Sequence, residues 1–215
     1  MAFDVSPPRD CGACPRLAQF RSANRAAHPE WSNAPVASLG EPTARLMIVG
    51  LAPGLRGANR TGRPFTGDYA GDLLYEALLE FGFATGRYDR RPDDGLELVA
   101  CAIVNAVRCV PPQNKPTPLE IAACRAYLSR SIEALPNLRI ILALGRVAHD
   151  SLLRAFGVRA ADFPFAHGAR HALNPGGPSL FDSYHCSRYN TNTRVLTEAM
   201  FRAIFASIRL ELDRC

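Results

Sequence analysis

Residues 50–72, GLAPGLRGANRTGRPFTGDYAGD, decide how the chain folds. They follow a short apolar run, Leu46-Met47-Ile48-Val49, of the kind that forms a buried strand. Pro53-Gly54 ends that strand sharply, because proline fixes φ and glycine accepts positive φ. Six glycines within 23 residues exclude a helix interior and exceed what one turn needs. Beyond the loop, Leu73, Leu74, Tyr75, Leu78 and Leu79 open an apolar helix. A long glycine loop between a first strand and its helix lies at the carboxyl end of the strand, where open α/β sheets bind ligands. The loop carries Arg56, Arg60 and Arg63, one aromatic, Phe65, and one acid before its helix, Asp68. Such side chains suit the floor of an active site that accepts a piece of nucleic acid. The competing reading is a flexible surface loop.

The rest of the chain repeats the strand–helix alternation. Residues 45–51 form strand one, and the helix after the loop covers about 69–83. A charged connection at 87–95 leads to LELVACAIVNAVRC, residues 96–109, which reads as a second strand. A loop with four prolines follows at 110–118. Thr117-Pro118-Leu119-Glu120 then opens a helix with a capping box and proline in the first turn. Ile121, Cys124, Leu128, Ile132 and Leu135 recur at helical spacing until Pro136. Residues 139–144 form an apolar strand and 146–156 a helix. Residues 163–178, with His167 and His171, read as loop. A last strand at 180–184 delivers His185. An amphipathic helix at about 193–212 turns Val195, Leu196, Phe201, Ile204, Phe205 and Ile208 to one side. Buried strands alternating with helices imply a parallel sheet covered on both faces. Residues 1–40 read as an irregular arm with a short helix near 16–27.

The 215 residues suffice for one domain with a single core. No apolar run approaches the roughly 18 residues that span a bilayer, and the N-terminus lacks the basic and apolar regions of a signal peptide. A cytoplasmic protein with no membrane partner is the expectation. The net charge is +5, and the excess is arginine, since Lys115 is the one lysine. Guanidinium forks match phosphates and stack on bases, so a polyanionic partner fits.

Seven cysteines are many for a reducing compartment. Cys101, Cys186 and Cys215 have no evident partners in sequence. Cys11-Gly-Ala-Cys14 forms one pair, and Cys109 with Cys124 flanks the proline loop. Four thiolates brought together bind either tetrahedral zinc or an iron–sulfur cluster. Cys124, on the apolar side of its helix, also reads as a buried structural thiol.

Together these segments resemble the uracil-DNA glycosylase superfamily, in particular its type B, or family 5, iron–sulfur branch. The resemblance covers nearly the whole chain. It rests on GLAPG (50–54), GANRTGRPFTGD (57–68), VNAVRCVPPQNKPTP (104–118), LALGRVAH (142–149) and HCSRYNTNTRVLT (185–197). It implies a three-layer α/β/α sandwich around a four-stranded parallel sheet. It implies a [4Fe-4S] cluster on Cys11, Cys14, Cys109 and Cys124, tying the arm at about 1–40 to a single domain of residues 1–215. It also implies a monomeric enzyme acting on double-stranded DNA that contains a damaged base. The activity implied is monofunctional removal of uracil, and of other deaminated or damaged bases, at the start of base excision repair.

The chemistry assigns roles to residues. Phe65 stacks on an extruded base, with Gly50, Ala52 and Gly54 forming the substrate floor; Phe65 also reads as a loop anchor. Asn105 stands in a strand, where an amide is a poor former, and offers both donor and acceptor to the uracil edge. His185 donates to the base oxygen as the leaving base becomes an anion. The sister families carry an acid or amide two residues before the motif proline, where this chain has Leu51. Asp68 is therefore the residue expected to orient or activate water; its other reading is a helix N-cap. Gly54 stands where the branch would show alanine. Arg63, Arg188, Tyr189 and Asn190 are expected at the DNA, with Arg188 or Tyr189 filling the gap left by the flipped base. No lysine stands near these motifs to form a Schiff base. Two other readings fit parts of the sequence: a non-catalytic nucleic-acid-binding module with a structural metal, and a flavodoxin-like phosphate enzyme.

Overall fold

The structure is a computed structural model and describes residues 5–214. Its first helix, α1 (Pro15–Ala27), starts on a proline, whose missing N–H costs nothing in a first turn. There follow β1 (Leu39–Gly40), β2 (Leu46–Gly50), a single turn α2 (Ala58–Thr61) inside the glycine loop, and α3 (Tyr69–Glu80). β3 (Ala84–Thr85) and β4 (Glu97–Leu98) pair with each other as a separate ribbon. Then come β5 (Cys101–Asn105), α4 (Pro118–Glu133), β6 (Ile140–Leu144), α5 (Arg146–Ala155), β7 (Arg170–Ala172) and β8 (Ser179–Ser183). α6 (Arg188–Asn192) and α7 (Glu198–Leu212) complete the chain.

The main sheet has the order β1-β5-β2-β6-β8-β7. Its four central strands are parallel, as expected, and β1 and β7 add an antiparallel edge on each side. The resulting sheet is mixed and six-stranded. β2, β5 and β6 are buried at every position, so their sequences, apolar up to Asn105 at the end of β5, face helices on both sides. One face packs under α3 and α7 through Leu74, Leu78, Phe83, Phe201 and Phe205. The other packs under α4 and α5 through Leu128, Leu152 and Leu153. Each fully buried Leu or Phe contributes roughly 1.5–3 kcal/mol. A third small cluster joins Leu17 of α1 to Val107, Cys109 and Cys124.

Two further expectations change. Residues 96–109 do not form one strand: Ala100 takes φ +49°, which breaks the run and sends Glu97–Leu98 to the β3 ribbon. The last helix is not continuous from 193. Ser187 and Thr197 each accept from an amide three residues on, which starts two helices instead of one. Val195 lies between them and is exposed, while Leu196 is buried. Among the described residues no helix is long and apolar enough to cross a membrane.

The N-terminal arm is held by polar contacts. Arg16 forms a forked ion pair with Glu120, whose second oxygen also closes the Thr117 capping box. Arg25 donates to Asp10 and to the Asn33 carbonyl. Asn59 of α2 donates to buried Asn33, so arm and glycine loop share a hydrogen bond.

Candidate active site

The glycine loop crosses the carboxyl ends of β2 and β5 and walls a cleft of about 630 Å³. Glycine is required where side chains crowd the strand end. A Cβ on Gly50 would stand 2.5 Å from Asn105 Oδ1 and 2.6 Å from the Phe65 ring. Gly50 therefore sits behind the cleft and lets the two side chains that line it approach the backbone. Ala52 and Gly54 line the cleft directly, and so does Leu51. The register Gly50↔Asn105, extended by Ala106 N–H and Val107 N–H to the carbonyls of Gly50 and Leu51, ties this floor to the strand leading to Cys109.

Phe65 has φ +53°, a left-handed conformation that costs a non-glycine residue on the order of 1 kcal/mol or more. Its surroundings hold it there. Tyr88 donates to the Phe65 carbonyl at 3.2 Å, and Gly71 approaches that same carbonyl so closely that a Cβ would lie 1.7 Å from it. The Phe65 ring is buried except toward the cleft, with its centroid 6.1 Å from that of His185.

Asp68 is both cap and cleft wall. It accepts from the Gly71 N–H at 3.3 Å, which starts α3, and it lines the cleft. Its Oδ2 faces Gly54 and Gly57, where a Cβ would come within 2.8 and 2.3 Å. Two glycines thus make room for the carboxylate. Burial raises the Asp68 pKa above its ordinary value, against the lowering effect of the Gly71 and Ala70 amides.

Asn105 ends β5, is buried, and makes no side-chain hydrogen bond within the described residues. Its amide is left to the cleft, which it lines with Asp68 and His185. His185 follows β8. Burial pushes its imidazole down to about 4, so the ring is neutral near pH 7 and offers an N–H without a charge. The Asn190 amide donates to the His185 carbonyl at 2.8 Å. Asn190, expected at the DNA, instead uses its donor to brace the histidine. Arg188 lines the cleft with its guanidinium over the Tyr69 ring, 5.3 Å from its centroid, and Tyr189 projects outward, 74% exposed.

Arg63 departs from expectation most clearly. Its guanidinium is buried, forked onto Asp94 at 2.7 and 2.8 Å, and bonded through Nε to Thr66. Tyr75 and Tyr88 flank it. It is a strut under the loop and has no face left for a DNA phosphate. Asn114, Tyr69 and Arg56 line the cleft without having been singled out as site residues. Asn114 arrives from the proline loop in a left-handed conformation that no local pattern announces.

The four paired cysteines converge on one small cavity between α1, the 106–109 segment and α4. No three of their sulfurs lie within 4.8 Å of one another among the described residues. Arg21 Nη1 lies 3.4 Å from Cys109 Sγ, and the Arg108 amide donates to Cys124 Sγ at 3.3 Å. Cys101 and Cys186 are buried elsewhere, the latter 3.4 Å from the Ala70 carbonyl. Cys215 lies outside the described residues.

Residues 37–209 match the model of the Uracil DNA glycosylase superfamily. The chain is similar to the type-5 uracil-DNA glycosylase of Thermus thermophilus, 46% identical over 197 residues that cover 89% of each chain. It is also similar to the protein of that name from Mycobacterium leprae, 41% identical over 204 residues, 91% of this chain and 88% of the relative. The type-5 enzyme of Pyrobaculum aerophilum is 39% identical over 192 residues, 87% and 83% of the two chains.

Proposed function

The chain belongs to the uracil-DNA glycosylase superfamily, in its type-5 branch, and on that premise we propose that it hydrolyses the N-glycosidic bond of uracil in DNA at the cleft described above. The observation that carries the assignment of residues is the convergence of Asp68, Phe65, Asn105 and His185 on one cleft. The cleft has room for an extruded base. Extrusion costs a few kcal/mol, and stacking on Phe65 with hydrogen bonds to Asn105 offsets it. The Asn105 amide donates to O4 of uracil and accepts from N3–H. As the bond from C1′ to N1 breaks, its electron pair passes to the base. The neutral His185 ring donates to O2 and stabilises that anion. The Asp68 carboxylate favours the cationic sugar and takes a proton from the water that attacks C1′. The products are the free base and an abasic sugar. Lys115 belongs to the proline loop, so the reaction needs no Schiff base. The same exchangeable donor and acceptor on Asn105 extend the reading to other deaminated or damaged bases.

Cys11, Cys14, Cys109 and Cys124 are read as ligands of a [4Fe-4S] cluster. The Arg21 and Arg108 donors suit thiolate sulfur. Such a cluster supplies bracing rather than reaction chemistry, fastening the arm to the proline loop. The reading makes residues 1–215 one domain, acting as a monomer in the cytoplasm. Arg188, which lines the cleft, or the exposed Tyr189 beside it in sequence enters the space vacated by the base.

The test is single-turnover release of uracil from duplex DNA by Asp68→Asn, which keeps an N-cap. We expect a loss of about 10²–10⁴-fold with DNA binding retained. Undiminished release would remove Asp68 from the reaction. Binding without release by the unaltered protein would leave only the non-catalytic nucleic-acid-binding module.

A further inference from the structure

The fold buries a second group of titratable side chains that the reaction does not use. His149 stands in the first turn of α5 with 1% of its side chain exposed, and Asp182 in β8 is fully buried. His171 in β7 keeps 11% of its side chain in contact with solvent. His149 Nδ1 lies 2.8 Å from Asp182 Oδ1, and His171 Nε2 lies 3.1 Å from Asp182 Oδ2. The remaining His149 nitrogen, Nε2, meets the Phe163 carbonyl at 2.9 Å.

A carbonyl only accepts, so Nε2 of His149 carries a hydrogen. Nδ1 then faces a carboxylate, and a lone pair cannot meet an ionised oxygen at 2.8 Å without a cation between them. Either a second proton or a metal ion satisfies that contact. Two imidazoles and one carboxylate are a donor set that zinc accepts, with one position left open. A ligating histidine commonly donates its other N–H to a backbone carbonyl, as His149 does to Phe163. One ligand atom from each of the three residues lies within 4.8 Å of the other two, and His171, on the edge strand, is the side from which an ion enters.

We propose that His149, His171 and Asp182 form a second metal site, separate from the cysteines, that takes a divalent transition metal of the zinc class. The ion bonds Nδ1 of His149, Nε2 of His171 and a carboxylate oxygen of Asp182. On loading, His149 releases any proton on Nδ1 to the solvent, and His171 carries its ring hydrogen on Nδ1 in place of Nε2. The ion fastens edge strand β7 to α5 and to β8, three residues before His185.

The experiment is calorimetric titration of zinc into the full-length protein as isolated, with its iron content measured before and after. We expect one equivalent of zinc to bind with no loss of iron. His171→Ala, which leaves the contact between His149 and Asp182 in place, should weaken that binding about 100-fold and leave uracil release unchanged. Absence of zinc binding would overturn the proposal and leave a buried imidazolium bridging the pair. Equal binding by the variant would also overturn it, because the ion would then sit elsewhere. The readout is heat of metal binding, so its outcome does not depend on the glycosylase reading.

Discussion

Lowering the pH should cost the folded protein stability, and one ring, that of His185, carries a part that a single substitution isolates. In the unfolded chain the imidazole titrates near 6.5, and in the fold burial holds it down to about 4. The group is a base whose folded value is depressed. The stability present above about pH 6.5 is therefore lost as the pH falls, and the loss is complete only once the pH has passed the folded value near 4. A fall from 6.5 to about 4, at 1.36 kcal/mol per tenfold step, sets an upper bound of about 3 kcal/mol. His185 lines an open cleft, and water reaching the ring reduces this to about 2 kcal/mol. The assay is urea unfolding of the unaltered protein and His185→Gln at a series of pH values from about 7.5 to about 4. Asp68 and His149, whose folded values are raised, are present in both proteins and leave the difference between them. The stability of the unaltered protein relative to the variant should fall by about 2 kcal/mol across that window. A difference that stays constant with pH would mean the ring is solvated in the fold. Its neutrality near pH 7 would then owe nothing to the cleft.

Three further outcomes follow from the geometry. Gly57→Ala presses on Asp68 Oδ2 from 2.3 Å, so it should slow single-turnover uracil release by about 10-fold or more. Arg63→Ala takes the guanidinium from Asp94, which keeps its bonds from the Asp89 and Leu96 amides, and should destabilise the fold by about 1.5–3 kcal/mol in chemical unfolding. The salt slope of DNA binding by the folded fraction of that variant should be unchanged, since Arg63 reaches no phosphate. Cys14→Ser should lower the iron content and the melting temperature together, whereas Cys101→Ser should leave the iron content intact.

The parts of this fold that could be read from sequence are those whose cause is local. The run 46–49 is buried because its residues are apolar, and the box at Thr117 and Glu120 closes within four residues. The edge strands could not be read. β1 is two residues long, and β7 spells Arg-His-Ala, with no alternation to mark it. Ala100 breaks a strand although alanine signals no break. The site divides along the same line. Phe65, Asp68, Asn105 and His185 each stand out within a motif, and the fold brings them to one cleft. Arg63 misled because its partner, Asp94, is 31 residues away in a connection that reads only as charged. His149 and Asp182 are 33 residues apart and hid for the same reason.

The double duty of Asp68 explains why the loop is built as it is. A carboxylate at the start of a helix is stabilised as an anion by the amides it caps, and that alone would make it a poor proton acceptor. Burial acts in the other direction, and in this cleft burial wins, since the pKa of the group is raised. The balance depends on how closely the loop closes over the acid. Gly54 and Gly57 bring backbone, not side chain, against Oδ2, which is the close packing that the proposed role as proton acceptor calls for. Gly71 does the same at the Phe65 carbonyl, where the strained turn is held by Tyr88. The Arg63–Asp94 pair anchors the segment between those two turns. The glycines of this loop are thus spent on close approach to one aromatic ring and one carboxylate. A flexible surface loop would have no use for such contacts, and at Gly57 a single methyl group should be felt in the rate of base release.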